Sequence, residues 1–277
     1  MDYIQLNLNI APKNPWLEII TQELADIDFD SFMEEGQTLQ AFIPSDLFDK
    51  KKVNELIEEY RAKDIAIEVE QIHIPSQNWN ATWEADYQPV KIEDKLIIRA
   101  PFHSKEGNYK MSIEIQPQMS FGTGHHQTTY LLCDTLLDED FNQKSVLDVG
   151  TGTGVLGILA AKLNASHIVG TDIEAGAVEN AIENIGRNNI SNFEILEGDI
   201  EVVTKKDFDV IIANINKNVL MQHLKSYSER IKEGGSLFLS GFFETDADSL
   251  IEEAKKFGFK FVQLYTRETW AVLKFKK

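Results

Sequence analysis

The segment that most constrains the fold of this chain is residues 145–154, S-V-L-D-V-G-T-G-T-G. A short apolar run that contains one carboxylate, Asp148, is followed by three alternate glycines, Gly150, Gly152 and Gly154, and then by an apolar helix-like stretch. This pattern predicts a strand, a tight turn and a helix. Glycines permit a sharp turn and a close approach of a ligand to the backbone, and the helix start offers free N–H groups. We therefore expect an anionic or nucleotide-like ligand at this turn.

The glycine pattern alone does not identify the ligand. Gly152, Gly154 and Gly157 also match the dinucleotide fingerprint G-x-G-x-x-G, and Asp172 lies downstream where a ribose-binding acid belongs. A nicotinamide dinucleotide and S-adenosyl-L-methionine are therefore both open at this point. A glycine-rich turn that binds nothing is the purely structural alternative.

The net charge of the chain bears on its partners. With 45 acidic and 27 basic residues, the formal net charge is -18 at pH 7. A nucleic-acid substrate is disfavoured, because phosphate binding needs a basic surface. A basic protein partner fits better, although solubility alone explains the charge equally well. No apolar run reaches membrane-spanning length and no signal-peptide pattern opens the chain, so we predict a cytoplasmic protein without a membrane partner.

Cysteine and histidine, which are common metal ligands, form no evident ligand set in this sequence. The single cysteine, Cys133, excludes an internal disulfide, and its leucine-rich neighbourhood predicts a thiol packed in the core. His125 and His126 are adjacent, so on a helix their side chains would point apart, and no partner ligand set is evident. We predict no metal site.

Residues 1–75 are predicted to form a strand, a helix, a hairpin, a helix and a strand. Apolar and polar residues alternate over residues 3–10 and 65–74, which is typical of half-buried strands. The order of elements matches the α+β ferredoxin-like arrangement. We predict a small ferredoxin-like domain that serves either as a recognition module or as a stabilising appendage. The pattern breaks at residues 76–88, which we interpret as an interdomain linker.

Residues 89–277 are predicted to form an α/β domain. Strands are predicted at residues 91–100 and 109–116, and strands then alternate with helices, which implies a parallel sheet covered on both faces. The last two strands, residues 259–265 and 270–275, are too close in the chain for a parallel crossover and must be antiparallel. A dinucleotide dehydrogenase domain would continue with a helix and a parallel strand. The antiparallel ending therefore favours the seven-stranded, Rossmann-like sheet of class I S-adenosyl-L-methionine-dependent methyltransferases.

Polar residues at the predicted strand ends support a nucleoside site. Ligands of open α/β sheets lie beyond the carboxyl ends of the strands, where this chain places Asp172, Asp199 and Asn214. Asp172 is placed to accept hydrogen bonds from both ribose hydroxyls. Asp199, or the backbone beside it, is expected to meet the adenine amino group. Asp148 either holds the glycine turn or faces the cationic methionine end of the cofactor.

Asn214 ends the apolar strand V-I-I-A-N-I. A buried amide costs free energy unless it is hydrogen-bonded, so a bonding role is expected. In the functional interpretation its side-chain oxygen accepts a proton from a substrate amine and directs the nitrogen lone pair at the methyl carbon. In the alternative, Asn214 caps the helix that begins near Val219.

Five motifs together resemble the bacterial PrmA family, the methyltransferases of ribosomal protein L11. They read F-G-T-G-H-H-Q-T-T, L-D-V-G-T-G-T-G, G-T-D-I-E, A-N-I and a terminal E-T-W. The resemblance runs from about residue 79 to the C-terminus, whereas the N-terminal domain agrees in architecture only. The segment at residues 121–129 is the most specific part.

The resemblance implies contacts with S-adenosyl-L-methionine at Thr129, Gly150, Asp172 and Asn214. It also implies that the N-terminal domain grips the ribosomal protein while the linker lets the catalytic domain reach several amines. One departure from the family pattern is the segment I-N-K-N after Asn214, where Lys217 adds a positive charge, so the resemblance leaves the target amines open.

We therefore predict a protein N-methyltransferase that acts on lysine or N-terminal amines of ribosomal protein L11, with Asn214 as the catalytic residue. The predicted cofactor contacts also include Gly152 and Asp199. The alternative from another functional class is a non-catalytic ribosome assembly factor that binds S-adenosyl-L-methionine or a nucleotide. A nicotinamide oxidoreductase is the third possibility.

Overall fold

The computed structural model divides into two compact units, Met1–Asp86 and Tyr87–Lys277. The structure describes residues 2–36, 38–75, 84, 86–104, 107–118 and 120–277. Most of the predicted linker, residues 76–83 and 85, lies outside the described residues. Each unit has its own hydrophobic core.

The described part of the first unit has the element order that the alternation patterns predict. The elements are β1 (Tyr3–Ala11), α1 (Trp16–Ala25), β2 (Ser31–Glu35), β3 (Thr38–Pro44), α2 (Lys50–Arg61) and β4 (Ala66–Ile74). The four strands form one sheet in the order β2-β3-β1-β4, and all neighbouring strands are antiparallel. Strand β1 buries Ile4, Leu6, Leu8 and Ile10 in a core with residues of α1 and α2, because alternate residues of a strand share one face.

The second unit begins with a small sheet that the sequence pattern predicts only in part. The single strand expected at residues 91–100 is two strands, β5 (Val90–Ile92) and β6 (Leu96–Arg99), paired antiparallel. Between them Glu93 adopts a left-handed conformation with φ 48°, so the chain reverses. Strand β7 (Met111–Glu114) lies parallel to β6.

The remainder of this unit alternates helices and strands. The elements are α3 (Gln127–Leu137), β8 (Ser145–Val149), α4 (Val155–Lys162), β9 (His167–Asp172), α5 (Ala175–Arg187), β10 (Phe193–Glu197), β11 (Phe208–Asn214), α6 (Lys217–Arg230), β12 (Ile231–Phe243), α7 (Ala247–Lys256), β13 (Lys260–Arg267) and β14 (Trp270–Lys276). None of the helices in the described ranges combines the length and the apolar character that a membrane span needs.

These strands form one sheet in the order β10-β9-β8-β11-β12-β14-β13. Strands β8 to β12 are parallel to one another, whereas β14 is antiparallel to both β12 and β13. The predicted antiparallel ending is thereby confirmed. Successive residues of the central strands belong to cores on opposite faces, as for Val146 and Leu147, which explains their continuous apolar runs.

The strand order positions the ligand site. The chain runs outward from β8 through β9 to β10 and then crosses to the other side of β8, where β11 lies. The loops that follow β8 and β11 therefore leave the sheet in opposite directions and open a crevice between them. The glycine turn follows β8, and Asn214 ends β11, so both border this crevice.

Candidate active site

The glycine turn after β8 exposes backbone atoms, without side chains, at the crevice. Gly150 and Gly152 adopt left-handed conformations with φ 71° and 54°. A Cβ atom on Gly150 would collide with the side chain of Ile215, and one on Gly152 would collide with the carbonyl oxygen of Phe121. Both positions therefore require glycine for conformation and for space. Helix α4 begins directly after Gly154, which is its N-cap residue.

Asp148 holds this turn from below. Its side chain has no exposed surface, and its Oδ2 atom accepts hydrogen bonds from the Thr151 hydroxyl at 2.7 Å and from the Gly157 N–H at 3.2 Å. Burial raises the pKa of Asp148 to about 6, although these two hydrogen bonds act in the opposite direction. Asp148 does not line the crevice, so of its two predicted roles the structure favours the support of the turn.

Asp172 and Asp199 lie at the ends of the neighbouring strands β9 and β10. The Oδ2 atom of Asp172 accepts the Gly152 N–H at 2.8 Å, and its Oδ1 atom accepts the Glu174 N–H at 3.1 Å. The Oδ1 atom of Asp199 accepts the Glu201 N–H at 2.8 Å. Each carboxylate is thus oriented by backbone donors and keeps acceptor capacity for a ligand.

One cavity of about 640 Å³ collects most of the predicted site residues. Its lining includes Gly150, Gly152, Asp172, Asp199 and Asn214. This volume lies within the range of roughly 300–1,000 Å³ that is usual for small-molecule sites. The Asp172 carboxylate has lone pairs left to accept hydrogen bonds from ribose hydroxyls, and it lies beside the exposed backbone of the glycine turn. The residues present therefore fit a nucleoside such as that of S-adenosyl-L-methionine.

The position of Asn214 excludes the capping alternative. Helix α6 is capped by Asn216, whose Oδ1 atom accepts the Asn218 N–H at 2.9 Å. The Nδ2 atom of Asn214 donates to the hydroxyl of Thr129 at 3.3 Å, whereas its Oδ1 atom is buried and meets no donor among the described residues. A buried amide oxygen without a partner is costly, so this arrangement fits a group that a ligand completes.

Thr129 lies behind Asn214 and not at the cavity surface. It is fully buried in α3 and does not line the cavity. Its hydroxyl accepts a hydrogen bond from the Asn214 side chain, which does line the cavity. The cofactor contact implied for Thr129 remains a prediction.

The segment that precedes α3 packs directly on the glycine turn. The Thr153 N–H donates to the Phe121 carbonyl at 2.9 Å, and the Thr153 hydroxyl donates to the Gly122 carbonyl at 2.6 Å. The ring of Phe121 remains exposed and lines the cavity. The motif of residues 121–129 and the central turn therefore form one structure.

The two histidines have local roles. The Nδ1 atom of His126 accepts the Thr128 N–H at 3.3 Å at the start of α3, and His125 Nε2 lies 2.8 Å from the carbonyl oxygen of Gln88. Within the described part of the chain, no three His, Cys, Asp or Glu side chains are grouped so that they could hold a metal ion.

Three site residues have no role in the sequence-based prediction. Ile173 is exposed beside Asp172 in the large cavity, and Phe121 lines both this cavity and a smaller neighbouring one. Trp270 lines the smaller cavity only. Phe121 and Trp270 lie within motifs that resemble the family, but a motif match does not indicate which cavity an aromatic ring borders.

Comparison with known proteins gives consistent matches. The family model described as ribosomal protein L11 methyltransferase (PrmA) matches residues 18–277. A ribosomal protein L11 methyltransferase of Porphyromonas gingivalis is 38% identical over 260 residues, which cover 93% of this chain and 90% of the relative. The namesake of Phocaeicola vulgatus is 37% identical over 278 residues, which cover 99% of each chain.

Solved structures show the same fold. The ribosomal protein L11 methylase of Lactobacillus delbrueckii subsp. bulgaricus matches with a TM-score of 0.64 at 24% identity and covers 69% of this chain and 99% of its own. A methyltransferase of Pyrococcus furiosus matches with a TM-score of 0.51 at 20% identity, over 59% of this chain and 88% of its own. The fold is therefore the α/β fold of methyltransferases. The family match begins at residue 18, so the expectation that the N-terminal domain agrees in architecture only was too narrow.

Proposed function

Because the chain belongs to the ribosomal protein L11 methyltransferase family, we propose that it transfers methyl groups to lysine or N-terminal amines of ribosomal protein L11. The chain is an S-adenosyl-L-methionine-dependent methyltransferase. This family membership decides against the nicotinamide oxidoreductase and favours catalysis over a purely binding role. Bound S-adenosyl-L-methionine supplies an electrophilic methyl group on a sulfonium.

The large cavity is the proposed cofactor site. Asp172 accepts hydrogen bonds from the ribose hydroxyls, while Asp199 or the backbone beside it accepts a hydrogen bond from the adenine amino group. Gly150 and Gly152, whose left-handed conformations form the turn at the cavity lining, let the cofactor lie against the backbone. Thr129 holds Asn214 in place through the hydrogen bond between their side chains.

Asn214 is the proposed catalytic residue, because it lines both the large cavity and the smaller neighbouring one. Its amide oxygen accepts a hydrogen bond from the substrate amine and directs the nitrogen lone pair into the large cavity. A lysine amine has a pKa of about 10.4 and an α-amine one of about 8, so the reacting neutral form must be favoured by the site. The described residues shared by the two cavities, Phe121, Asn214, Ile215 and Asn216, include no titratable group. Desolvation and alignment are therefore the proposed sources of rate acceleration.

The N-terminal unit is the proposed recognition domain. We assign the ferredoxin-like fold to residues 1–75, the linker to residues 76–88 and the seven-stranded catalytic domain to residues 89–277. The net charge of -18 supports a basic ribosomal protein as the partner and a reaction without direct contact to nucleic acid or membrane. The proposed location is the cytoplasm.

The observation that carries the catalytic proposal is the buried, unpartnered Oδ1 atom of Asn214 between two cavities. We expect Asn214→Ala to bind S-adenosylhomocysteine with a dissociation constant within about threefold of the wild type and to lose about 100-fold or more in methyl transfer. Calorimetry measures the binding, and mass spectrometry of purified L11 after incubation with labelled cofactor measures the transfer.

Asn218→Ala is the matched control, because Asn218 is also an asparagine, is exposed in the first turn of the neighbouring helix α6 and lines neither cavity. This variant is expected to keep both properties. Transfer at the wild-type rate by Asn214→Ala would contradict the catalytic role of Asn214. A wild-type protein that binds S-adenosylhomocysteine but adds no methyl group to L11 would contradict the proposed function and favour the assembly factor.

A further inference from the structure

One wall of the large cavity carries a polar atom that the proposed function does not use. His223 lies on α6 one turn after Val219, and both residues line the large cavity. The Nδ1 atom of His223 is buried and meets no hydrogen-bond partner among the described residues. An imidazole nitrogen donates or accepts a hydrogen bond in every protonation state, so its burial without a partner is costly. A ligand in the cavity is therefore the group that completes it.

The ring of His223 is held by packing within its own helix. Its centroid lies 6.0 Å from that of Tyr227, one turn further along α6, and the two rings meet edge to face at 85°. Tyr227 has no exposed surface and belongs to the core on this face of the sheet. The orientation of the imidazole at the cavity wall is thus set by the protein before a ligand enters.

The contacts of α6 place His223 at the Asp199 end of the cavity. The Ser226 hydroxyl donates to the Glu201 carboxylate, and the Nη2 atom of Arg230 donates to the same carboxylate at 3.1 Å. The Glu201 N–H in turn donates to Asp199, so the loop that carries Asp199 is fixed to α6. This end of the cavity is the part proposed to hold the base of the cofactor, and His223 borders it.

The side chains already assigned to the cofactor supply no donor for the base. Asp172 and Asp199 are carboxylates, which accept hydrogen bonds and donate none when they are ionised. Adenine presents its amino group as a donor, whereas its ring nitrogens N1, N3 and N7 are acceptors. A neutral imidazole carries its proton on either nitrogen, so the Nδ1 atom of His223 can donate to such a ring nitrogen. His223 thus offers the donor that the two carboxylates lack.

We propose that His223 recognises the purine base of the cofactor, with its Nδ1–H group donating a hydrogen bond to a ring nitrogen. This inference rests on the proposed cofactor site. The Asp199 loop then accepts from the amino group while α6 donates to the ring. Hypoxanthine and guanine carry a carbonyl oxygen in place of that amino group and a proton on N1, so the two elements together select adenine.

The first test removes one acceptor of the base at a time. Calorimetry compares S-adenosylhomocysteine with its 1-deaza, 3-deaza and 7-deaza analogues, each of which replaces one ring nitrogen with C–H and keeps the shape. We expect the wild type to bind one analogue about three- to tenfold more weakly than the parent compound, and we expect this difference to vanish in His223→Leu, which has lost the donor. The proposal fails if no analogue gives a difference that shrinks in His223→Leu.

Two further variants separate the hydrogen bond from a packing effect. His223→Asn carries an amide N–H close to the position of Nδ1 and is expected to restore the difference between the parent and that analogue. Gln222→Ala is the control, because Gln222 is exposed on the same helix and lines neither cavity, and it is expected to match the wild type. Loss of the difference in Gln222→Ala as well would overturn the assignment to His223.

The second test observes the nitrogen itself. Nitrogen-15 magnetic resonance follows the ring nitrogens of the six histidines, and the His223 signals are assigned by their loss in His223→Leu. S-adenosylhomocysteine is expected to shift the Nδ1 signal of His223, and an unchanged signal at saturation would overturn the proposal. Neither test uses L11, so a failure of base recognition by His223 is distinguished from a failure of the proposed methyl transfer.

Discussion

At the scale of single side chains, Asp148 is a fully buried carboxylate beneath the glycine turn. One carboxylate oxygen accepts hydrogen bonds from Thr151 in the glycine turn and from Gly157 in α4, while the other is buried and meets no donor among the described residues. Burial without a cation nearby raises its pKa from 3.8 to about 6. The side chain therefore fixes the turn at an energetic cost whenever it is ionised.

This cost has a defined pH dependence. The unfolded chain releases the Asp148 proton near pH 3.8 and the folded protein near pH 6, so the folded state binds more protons between these values and stability falls as pH rises. The full cost is roughly 3 kcal/mol above the folded pKa, and roughly 1 kcal/mol of it appears between pH 5 and pH 8. In Asp148→Asn this contribution is absent.

We therefore expect the stability of Asp148→Asn relative to the wild type to be greater at pH 8 than at pH 5. The measurement is the urea-unfolding free energy of the transition that S-adenosylhomocysteine shifts, which belongs to the unit with the cofactor site. A difference between the two proteins that does not change with pH would show that Asp148 is not buried as an acid.

Sequence patterns predict strand-end residues well but not their partners. Asp172, Asp199 and Asn214 line the predicted cavity because the carboxyl ends of parallel strands meet at one edge. The pattern does not distinguish Asn214 from Asn216 as the helix cap, since the two lie two residues apart and either could begin α6. It also does not show that Thr129 is buried, because helical spacing specifies a face but not what covers it.

At the scale of secondary-structure elements, the turn between β8 and α4 is hydrogen-bonded to the segment that precedes α3, so the two form one packed structure. The Thr153 backbone and hydroxyl both donate to carbonyls of residues 121–122, and the Phe121 carbonyl fills the space where a Gly152 side chain would lie. A change in the turn is therefore transmitted to the segment that borders both cavities.

Gly152→Ala tests this coupling. The new methyl group collides with the Phe121 carbonyl, and alanine at φ 54° also costs roughly 1–2 kcal/mol in backbone strain. We expect affinity for S-adenosylhomocysteine, measured by calorimetry, to fall about tenfold or more. Gly186→Ala is the control, since Gly186 lies in α5 with open space around it and is expected to keep the affinity. Equal affinities of the two variants would refute the coupling.

The boundaries of helices and strands can be predicted from hydrophobic periodicity, except where a turn carries no glycine or proline signal or a strand contains one. The antiparallel β13–β14 pair is predictable because chain length excludes a crossover. The β5–β6 hairpin is not, because Glu93 carries no glycine or proline signal for its left-handed conformation. Strand β12 begins at Ile231, and its start is hard to predict because Gly234 and Gly235, which would suggest a loop, lie within the strand.

For the whole chain, the separation into two units has a functional consequence. The residues that line the large cavity all lie between Ser120 and His223, inside the second unit. If the chain is cut between the two units, we therefore expect cofactor binding to stay with the second unit and substrate recognition to be lost from it.

We expect a fragment of residues 87–277 to bind S-adenosylhomocysteine within about twofold of the full chain and to lose about 100-fold or more in kcat/KM toward L11, because it lacks the second binding surface. Calorimetry and a labelled-methyl assay measure the two properties. Undiminished transfer by the fragment would show that the N-terminal unit is only a stabilising appendage.

The buried thiol of Cys133 offers a route to the arrangement of the units in solution. It is the only cysteine of the chain, it has no exposed surface, and burial raises its pKa, so maleimide dyes leave it unmodified. Cysteines introduced by Lys51→Cys and Lys225→Cys, at exposed sites of the two units, would then carry a donor and an acceptor without background labelling. Energy transfer between the dyes reports how far apart the two units lie before and after L11 is added.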